Sequence, residues 1–279
     1  MNHSNSSQPS TAPVSLPSIS AVLPTYNQAG YIRQALDSVL MQNYPNLEII
    51  VVDGLSTDGT VDILKSYGDK IRWISEKDKN QTDALNKGFR MATGEIIAWL
   101  NTDDLYDEGA LLTAGRYFAD HPKCMWVYGR CTIIDHTGKE IRKWVTAYKN
   151  IFCRRYSYNS LLAQNFISQM GVFFRRKVLQ ETGELDVSLR NGMDYDFWLR
   201  LGKLYRPAFI DQNFGKFRLH LDSKTLKDSK NLFDNDYACA KKYAAGKPFI
   251  IFLHKLFHIF ILTHYGILRM IAAWKERKV

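Results

Sequence analysis

An α/β fold built on a mostly parallel sheet, doubly wound with helices on both faces, is the class this sequence predicts. Short apolar runs rich in Val and Ile recur from residue 19 to residue 100, each closed by turn residues. Between them lie segments whose apolar residues repeat at helical spacing. The runs show little polar alternation, as expected of strands covered on both sides.

ISAVLPTY is a strand ending at Pro24, and YIRQALDSVLMQ a helix with Tyr31, Ala35, Leu36, Val39 and Leu40 on one face. LEIIVVDG is a second strand. TVDILKSYG is a short helix, capped by Thr57 or Asp58 and stopped by Gly68. IRWIS is a third strand, TDALNKGFRMA a helix ended by Gly94, EIIAWL a fourth strand and EGALLTAGRYFADH a further helix. Ligands of such sheets bind outside the carboxyl ends of the strands. Asp53, closing the second strand, and Asp103 and Asp104, following the fourth, are therefore expected on one rim. Beyond about residue 122 the character changes. CMWVYGRCTIID and KEIRKWV read as paired strands about the turn His136-Thr137-Gly138. After a mixed region, NGMDYDFWLRLGK reads as a helix that packs Phe197, Trp198 and Leu201 on the sheet. AFIDQNFGKFRLH reads as one or two closing strands.

With 279 residues and 46% hydrophobic content, the chain can bury one large core or a core with an appendage. Its formal charge of +9 favours anionic partners without choosing among them. Cys124, Cys131, Cys153 and Cys239 show no CxxC spacing, so free thiols in a reducing, cytoplasmic compartment are expected. The Ser-, Asn- and Pro-rich start lacks a basic end and an apolar run, and reads as a disordered leader. In the tail, the uncharged stretch Leu256 to Leu268, flanked by Lys255 and Arg269, is too short to span a bilayer. On a helical wheel Lys247, His254, His258 and Arg269 share one side, and Phe249, Leu253, Leu256, Phe260 and Ile267 the other. Such a helix suits a membrane interface, or docking on the protein's own core or in a dimer.

Adjacent carboxylates at a core edge are costly unless a cation or donors compensate them. Asp103, Asp104 and Asp53 together suit Mg2+ or Mn2+, which take one or two carboxylates and complete their shell with water and substrate phosphates. One of the pair could instead cap the following helix. DGLSTDGT is not an EF-hand loop, because Asp58 and Leu64 stand where Gly and Glu are required. No GxGxxG follows the first strand and no GxxxxGK[ST] occurs, which argues against a dinucleotide dehydrogenase and a P-loop enzyme. No aromatic–basic module for nucleic acid is present.

PTYNQAGYIRQALDSVLMQNYPNLEIIVVDGLSTDGT, SEKDKNQTDALNKGFRMATGEIIAWLNTDD, MDYDFWLRL and FRLHLDS together resemble the family 2 inverting glycosyltransferases of the GT-A fold, over about residues 18–225. Within it a nucleotide-sugar-binding half over 18–122 and an acceptor-binding and catalytic half over 123–230 are expected, while composition and the helical wheel give a disordered leader over 1–17 and a helical tail over 231–279 that suits a membrane surface or docking on the protein. It implies that Pro24, Thr25, Tyr26, Asn27 and Asp53 hold the nucleoside, with Asp53 accepting from the base N–H. Asp83 and Lys87 would lie beneath the sugar and phosphates, where Lys87 offsets charge. Asn101-Thr102-Asp103-Asp104 occupies the family's DXD site, giving Asp103 to ribose or metal and Asp104 to the metal. Asn101 stands where many relatives carry Asp, which lowers the charge of the site. Asp194 matches the catalytic base, with Met193 where an acidic residue usually precedes it, and Asp196 is the rival candidate. His220 matches a position that ligates the metal or contacts the diphosphate. Gln169 and Trp198 fall on the acceptor side.

The implied reaction is metal-dependent transfer, with inversion, of a sugar from a nucleotide-diphosphate sugar to a glycan or lipid-linked acceptor in cell-envelope polysaccharide or glycolipid synthesis. The alternatives are a sugar-phosphate nucleotidyltransferase and a non-catalytic, membrane-associated relative. The first usually carries a Gly-rich basic loop where this chain has PTYNQAG.

Overall fold

The computed structural model describes residues 15–189, 191–220, 223 and 228–276. The first ladder alternates β1 (Ile19–Thr25), α1 (Ile32–Leu40), β2 (Leu47–Asp53), α2 (Thr60–Ser66), β3 (Arg72–Ser75), α3 (Gln81–Met91) and β4 (Ile96–Trp99). Strands β3, β2, β1 and β4 lie side by side and parallel, with Thr25 opposite Asp53 and Asp53 opposite Ser75. Their carboxyl ends therefore share one edge.

Successive residues of these strands feed two different cores. Val22, Ile50, Val52, Ile97 and Trp99 enter one, while Ala21, Leu23, Ile49, Val51, Ile96 and Ala98 enter the other. That is why no polar alternation shows in the sequence. Helix α3 lies so close to β1 that Gly88 admits no side chain, since a Cβ there would overlap Val22.

The sheet continues through β8 (Val172–Arg175), antiparallel to β4, then β6 (Trp126–Ile134) and β9 (Ala208–Arg218). The closing segment AFIDQNFGKFR is thus one strand, parallel to β6 with register shifts opposite Gly129, Arg130 and Cys131. Strand β5 (Leu105–Tyr106), which the sequence patterning did not reveal, pairs antiparallel with β9 through Leu105 opposite Lys216. Two further points differ from expectation. KEIRKWV pairs with β6 only as β7 (Glu140–Ile141), because Arg142 turns left-handed at φ 51° and α5 (Lys143–Arg154) begins. Gly59, at φ 97°, occupies the cap of α2, while the Asp58 carboxylate accepts from the Thr60 N–H at 3.0 Å.

Helices α4 (Ala110–Asp120), α6 (Tyr158–Ala163), α7 (Val178–Thr182), α8 (Met193–Leu204), α9 (Ser229–Tyr243) and α10 (Pro248–Glu276) complete the chain. Helix α10 docks by its polar side. His254 is buried, with Nδ1 on the Leu162 carbonyl at 2.8 Å, and Ile250 and Ile251 pack on the core. Phe249, Phe252, Leu256, Ile259 and Phe260 stay 47–67% exposed along the opposite face. Among the described residues no helix is long and apolar enough to cross a membrane. Residues 1–14 of the expected 1–17 leader, the side chains of Ile267 and Arg269, and Leu221 and Asp222 of FRLHLDS lie outside the described residues. The four cysteines are unpaired.

Candidate active site

The rim is assembled first by backbone. The Gly54 N–H donates to the Thr25 carbonyl at 2.9 Å, and the Thr102 hydroxyl donates to the Pro24 carbonyl at 3.3 Å, so the loops after β1, β2 and β4 are tied together. Asn27, at φ 51°, accepts from the Thr57 N–H at 2.9 Å, and its own N–H donates to Ser56 Oγ at 2.7 Å. Tyr26 stands 62% exposed on this edge, an aromatic face open to a planar group. Asp53 is fully buried. Its Oδ2 accepts from Ser75 Oγ at 2.6 Å and from the Ser56 N–H at 3.1 Å, and its Oδ1 from the Ser56 hydroxyl.

Asp103 and Asp104 leave β4 into different environments. Asp104 is fully buried, with Oδ1 accepting the Arg218 N–H at 2.9 Å and Oδ2 accepting from Asn101 at 3.3 Å. Burial first, and the Asp103 charge second, hold its carboxyl well above the usual carboxylate range. Asp103 keeps a partly open side chain, and its Oδ2 lies 3.2 Å from His220 Nε2. Asn101 accepts from Gln81 at 2.8 Å and from the Trp99 indole at 3.2 Å. Its amide oxygen is thus occupied, and its role here is to orient Asp104.

Arg218 and His220, more than a hundred residues downstream, arrive because β9 pairs with β5 immediately after the acidic pair. Arg218 is 1% exposed. Its guanidinium donates to the Asp103, Asp135 and His136 carbonyls and to Gln34, and lies 5.2 Å above the Tyr31 ring. Sequence reasoning did not single it out, although the Arg-Leu-His run closing a strand was visible.

The donor set fits a divalent cation. A carboxylate oxygen and an imidazole nitrogen converge beside a second carboxyl whose charge is under-compensated. Among the described residues no cluster of three His, Cys, Asp or Glu forms a cage by itself. An ion held here would complete its shell with water and substrate oxygens.

Asp194 lies half-buried in the first turn of α8. The chain reaches it along α3, with the Val187 carbonyl held by Asn80 and the Leu189 carbonyl by Thr82. That is the end of α3 where Gln81 meets Asn101. Its rival, Asp196, is 1% exposed and locked by Arg200 at 2.9 Å, Tyr243 at 2.8 Å and Lys242 at 3.3 Å. Both of its oxygens are thus spent on Arg200, Lys242 and Tyr243.

Four expected residues are held in contacts other than their assigned roles. Lys87 does not present a free ammonium for phosphate, because Asp78 at 2.6 Å, Glu76 at 2.8 Å and Asp83 at 3.9 Å surround it. Asp83 is correspondingly tied to Lys87 and to the Lys79 N–H at 3.0 Å. Trp198 is wholly buried, stacked on Trp126 at 5.8 Å, and offers no face to an acceptor. Its apolar area is worth more in the core than on the rim. Gln169 is 7% exposed and donates to the Trp99 carbonyl at 2.5 Å, so it fastens the end of β4.

The family model described as Glycosyl transferase family 2 matches residues 20–183. An uncharacterized glycosyltransferase of Rickettsia felis is 29% identical over 244 residues, covering 86% of this chain and 39% of that protein. The chain thus spans about two fifths of that relative's length. The putative teichuronic acid biosynthesis glycosyltransferase TuaG of Bacillus subtilis is 28% identical over 209 residues, covering 73% of this chain and 79% of that protein. Among solved structures, the mannosyltransferase PcManGT from Pyrobaculum calidifontis, in complex with GDP-Man and Mn2+, matches with TM-score 0.65 at 19% identity over 93% of this chain and 80% of that one. The fold is the GT-A arrangement expected from the sequence.

Proposed function

This chain belongs to glycosyl transferase family 2, and from that premise we propose that its strand-end rim binds a nucleotide-diphosphate sugar and transfers the sugar, with inversion, to a hydroxyl acceptor in cell-envelope polysaccharide or glycolipid synthesis. The observation that carries this reading is the convergence of Asp103 and His220, 3.2 Å apart, beside buried Asp104. In this reading Tyr26 stacks on the base and Asp53, held by Ser56 and Ser75, accepts from the base N–H, with Pro24, Thr25 and Asn27 shaping that pocket. Asp103, Asp104 and His220 would hold Mn2+ or Mg2+, which when bound supplies positive charge for the departing diphosphate.

Asp194 takes the proton of the acceptor hydroxyl. The hydroxyl oxygen then bonds to the anomeric carbon from the face opposite the diphosphate, and the electron pair of the broken C–O bond leaves with the diphosphate. The exposed aromatic and aliphatic stripe of α10, beside Lys255 on a chain of charge +9, favours docking on an anionic lipid surface at the cytoplasmic face of a membrane.

The test pairs binding with turnover. UDP- and GDP-sugars are screened with Mn2+ for thermal stabilisation and for release of nucleoside diphosphate, and the anomeric configuration of the product is read by NMR. A preferred nucleoside diphosphate with Mn2+ should raise Tm more than a nucleoside triphosphate does, and Asp194→Asn should cut turnover at least about 100-fold with nucleotide affinity unchanged. Full turnover in Asp194→Asn would refute its role, and no stabilisation by any nucleotide would refute the donor site.

A further inference from the structure

Met193 leaves the base without an acidic neighbour in sequence, yet the fold supplies one from another helix. Asp236 lies in α9 and is 6% exposed. Its Oδ2 accepts from Asn165 at 3.2 Å, while its Oδ1 has no partner among the described residues. That Oδ1 sits 3.0 Å from where a Cβ on Gly192 would be. Gly192, at φ 75°, is the cap of α8 and provides no side chain of its own to the first turn. The Asp236 carboxyl therefore lies against the turn that carries Asp194, and a side chain on residue 192 would crowd it. The same carboxyl lines a cavity of about 30 Å³ with Gln164, Asn165, His254 and His258.

We infer that Asp236 is a positioning residue for the base, a buried carboxyl from α9 set beside Asp194 at the head of α8. The inference rests on the proposed glycosyl transfer. Burial first, and the Asp194 charge second, push the Asp236 carboxyl up to about 8, so Asp236 stays neutral through neutral pH. With Asp236 neutral, Asp194 carries the negative charge that its task as base requires. Above that range Asp236 ionises and sets a second negative charge beside Asp194.

The other groups facing the pair are known. Lys149, from α5, lowers the proton affinity of Asp236, and Tyr195 and Cys239 both sense its charge. His254 and His258 face the cavity from α10, where burial holds His254 below its ordinary value and His258 lies 3.7 Å from Asp234. Asp196 is neutralised by Arg200 and Lys242.

The test has one arm that needs no activity. A carboxyl whose pKa is raised by folding destabilises the native state as pH climbs from its unfolded value, near 4, to its folded value. The Tm of Asp236→Asn minus that of the unaltered chain should therefore rise between pH 4 and pH 8 and level off above. In the Asp194→Asn background the levelling should come at lower pH, because one of the two causes of the shift is gone. The same curve in both backgrounds would overturn the inference, as would a flat one. The second arm is hydrolysis of the preferred nucleotide sugar with Mn2+, water serving as acceptor. Asp236→Asn should lower kcat by roughly tenfold, the scale of a supporting partner, keep donor KM, and erase an inflection near pH 8 in the kcat profile. An unchanged profile would overturn the link to the base. If no nucleotide sugar turns over in any variant, the proposed transfer fails, while the Tm arm still decides the Asp194–Asp236 coupling.

Discussion

Replacing Arg218 with Met keeps an unbranched apolar stem and removes the charge and the donors. Four side-chain bonds are lost, to the carbonyls of Asp103 at 2.9 Å, Asp135 at 3.2 Å and His136 at 3.1 Å, and to Gln34 at 2.8 Å. His136 and Gln34 are exposed, so their oxygens regain water. The Asp103 and Asp135 carbonyls are half-buried, and at about 1.5 kcal/mol for each bond from a charged donor they account for about 3 kcal/mol. Asp104 also loses the neighbouring cation, which moves the total towards the 3–5 kcal/mol typical of breaking a buried charge pair. At about 2 °C per kcal/mol for a chain of this size, Tm should fall by about 6–10 °C. Calorimetry and urea unfolding at pH 7 measure both quantities. Arg218→Lys should recover less than half, because one ammonium cannot span a planar fork of acceptors. A loss below about 1 kcal/mol in Arg218→Met would refute the view that this guanidinium clamps the acidic pair.

Other perturbations reach different parts of the rim. Asp53→Ala strands the Ser56 and Ser75 donors and should weaken nucleoside diphosphate binding by 1–3 kcal/mol, about 5- to 150-fold, by calorimetric titration. Equal affinity would remove Asp53 from the base pocket. At Asp58, burial is the largest single cause and raises the carboxyl, but the bonds from Thr60 and the Ala29 N–H together outweigh it and hold the pKa below its usual value. A depressed folded value means that this stabilisation is present above the unfolded pKa and lost as pH falls through the folded one. Asp58→Ala should therefore cost up to about 1 kcal/mol at pH 7, an exposed site being screened, and the difference should vanish well below pH 4. A Tm gap that persists into strong acid would contradict this. On α10, the pair Phe252→Glu and Leu256→Glu should reduce sedimentation with vesicles of phosphatidylglycerol at least tenfold, given about 1.5–3 kcal/mol per buried large apolar side chain. Binding that survives the double change would place the membrane contact elsewhere.

Local chemistry in the sequence determined the parallel ladder and its acidic rim. Strand and helix periods are written within a few residues, so β1 to β4 were legible, and strand polarity alone puts Asp53, Asp103 and Asp104 on the carboxyl edge. The family resemblance pointed to Asp194 and His220, but which contacts they make depends on register between distant strands. The two-residue β5 carries almost no periodic signal, yet its pairing with β9 sets Arg218 and His220 on the acidic pair. Periodicity also gave α10 an apolar and a polar side without saying which faces inward. The tertiary structure chose the polar side, because His254 finds the Leu162 carbonyl in a buried seat, and this leaves the aromatic face outside. Trp198 and Asp196 show the same limit. Their residue types suited a binding site, and only packing against Trp126 in the one case and Arg200, Tyr243 and Lys242 in the other assigned them to the core. Asp236, 42 positions beyond Asp194 in the chain, meets the head of α8 only because α9 folds back across it.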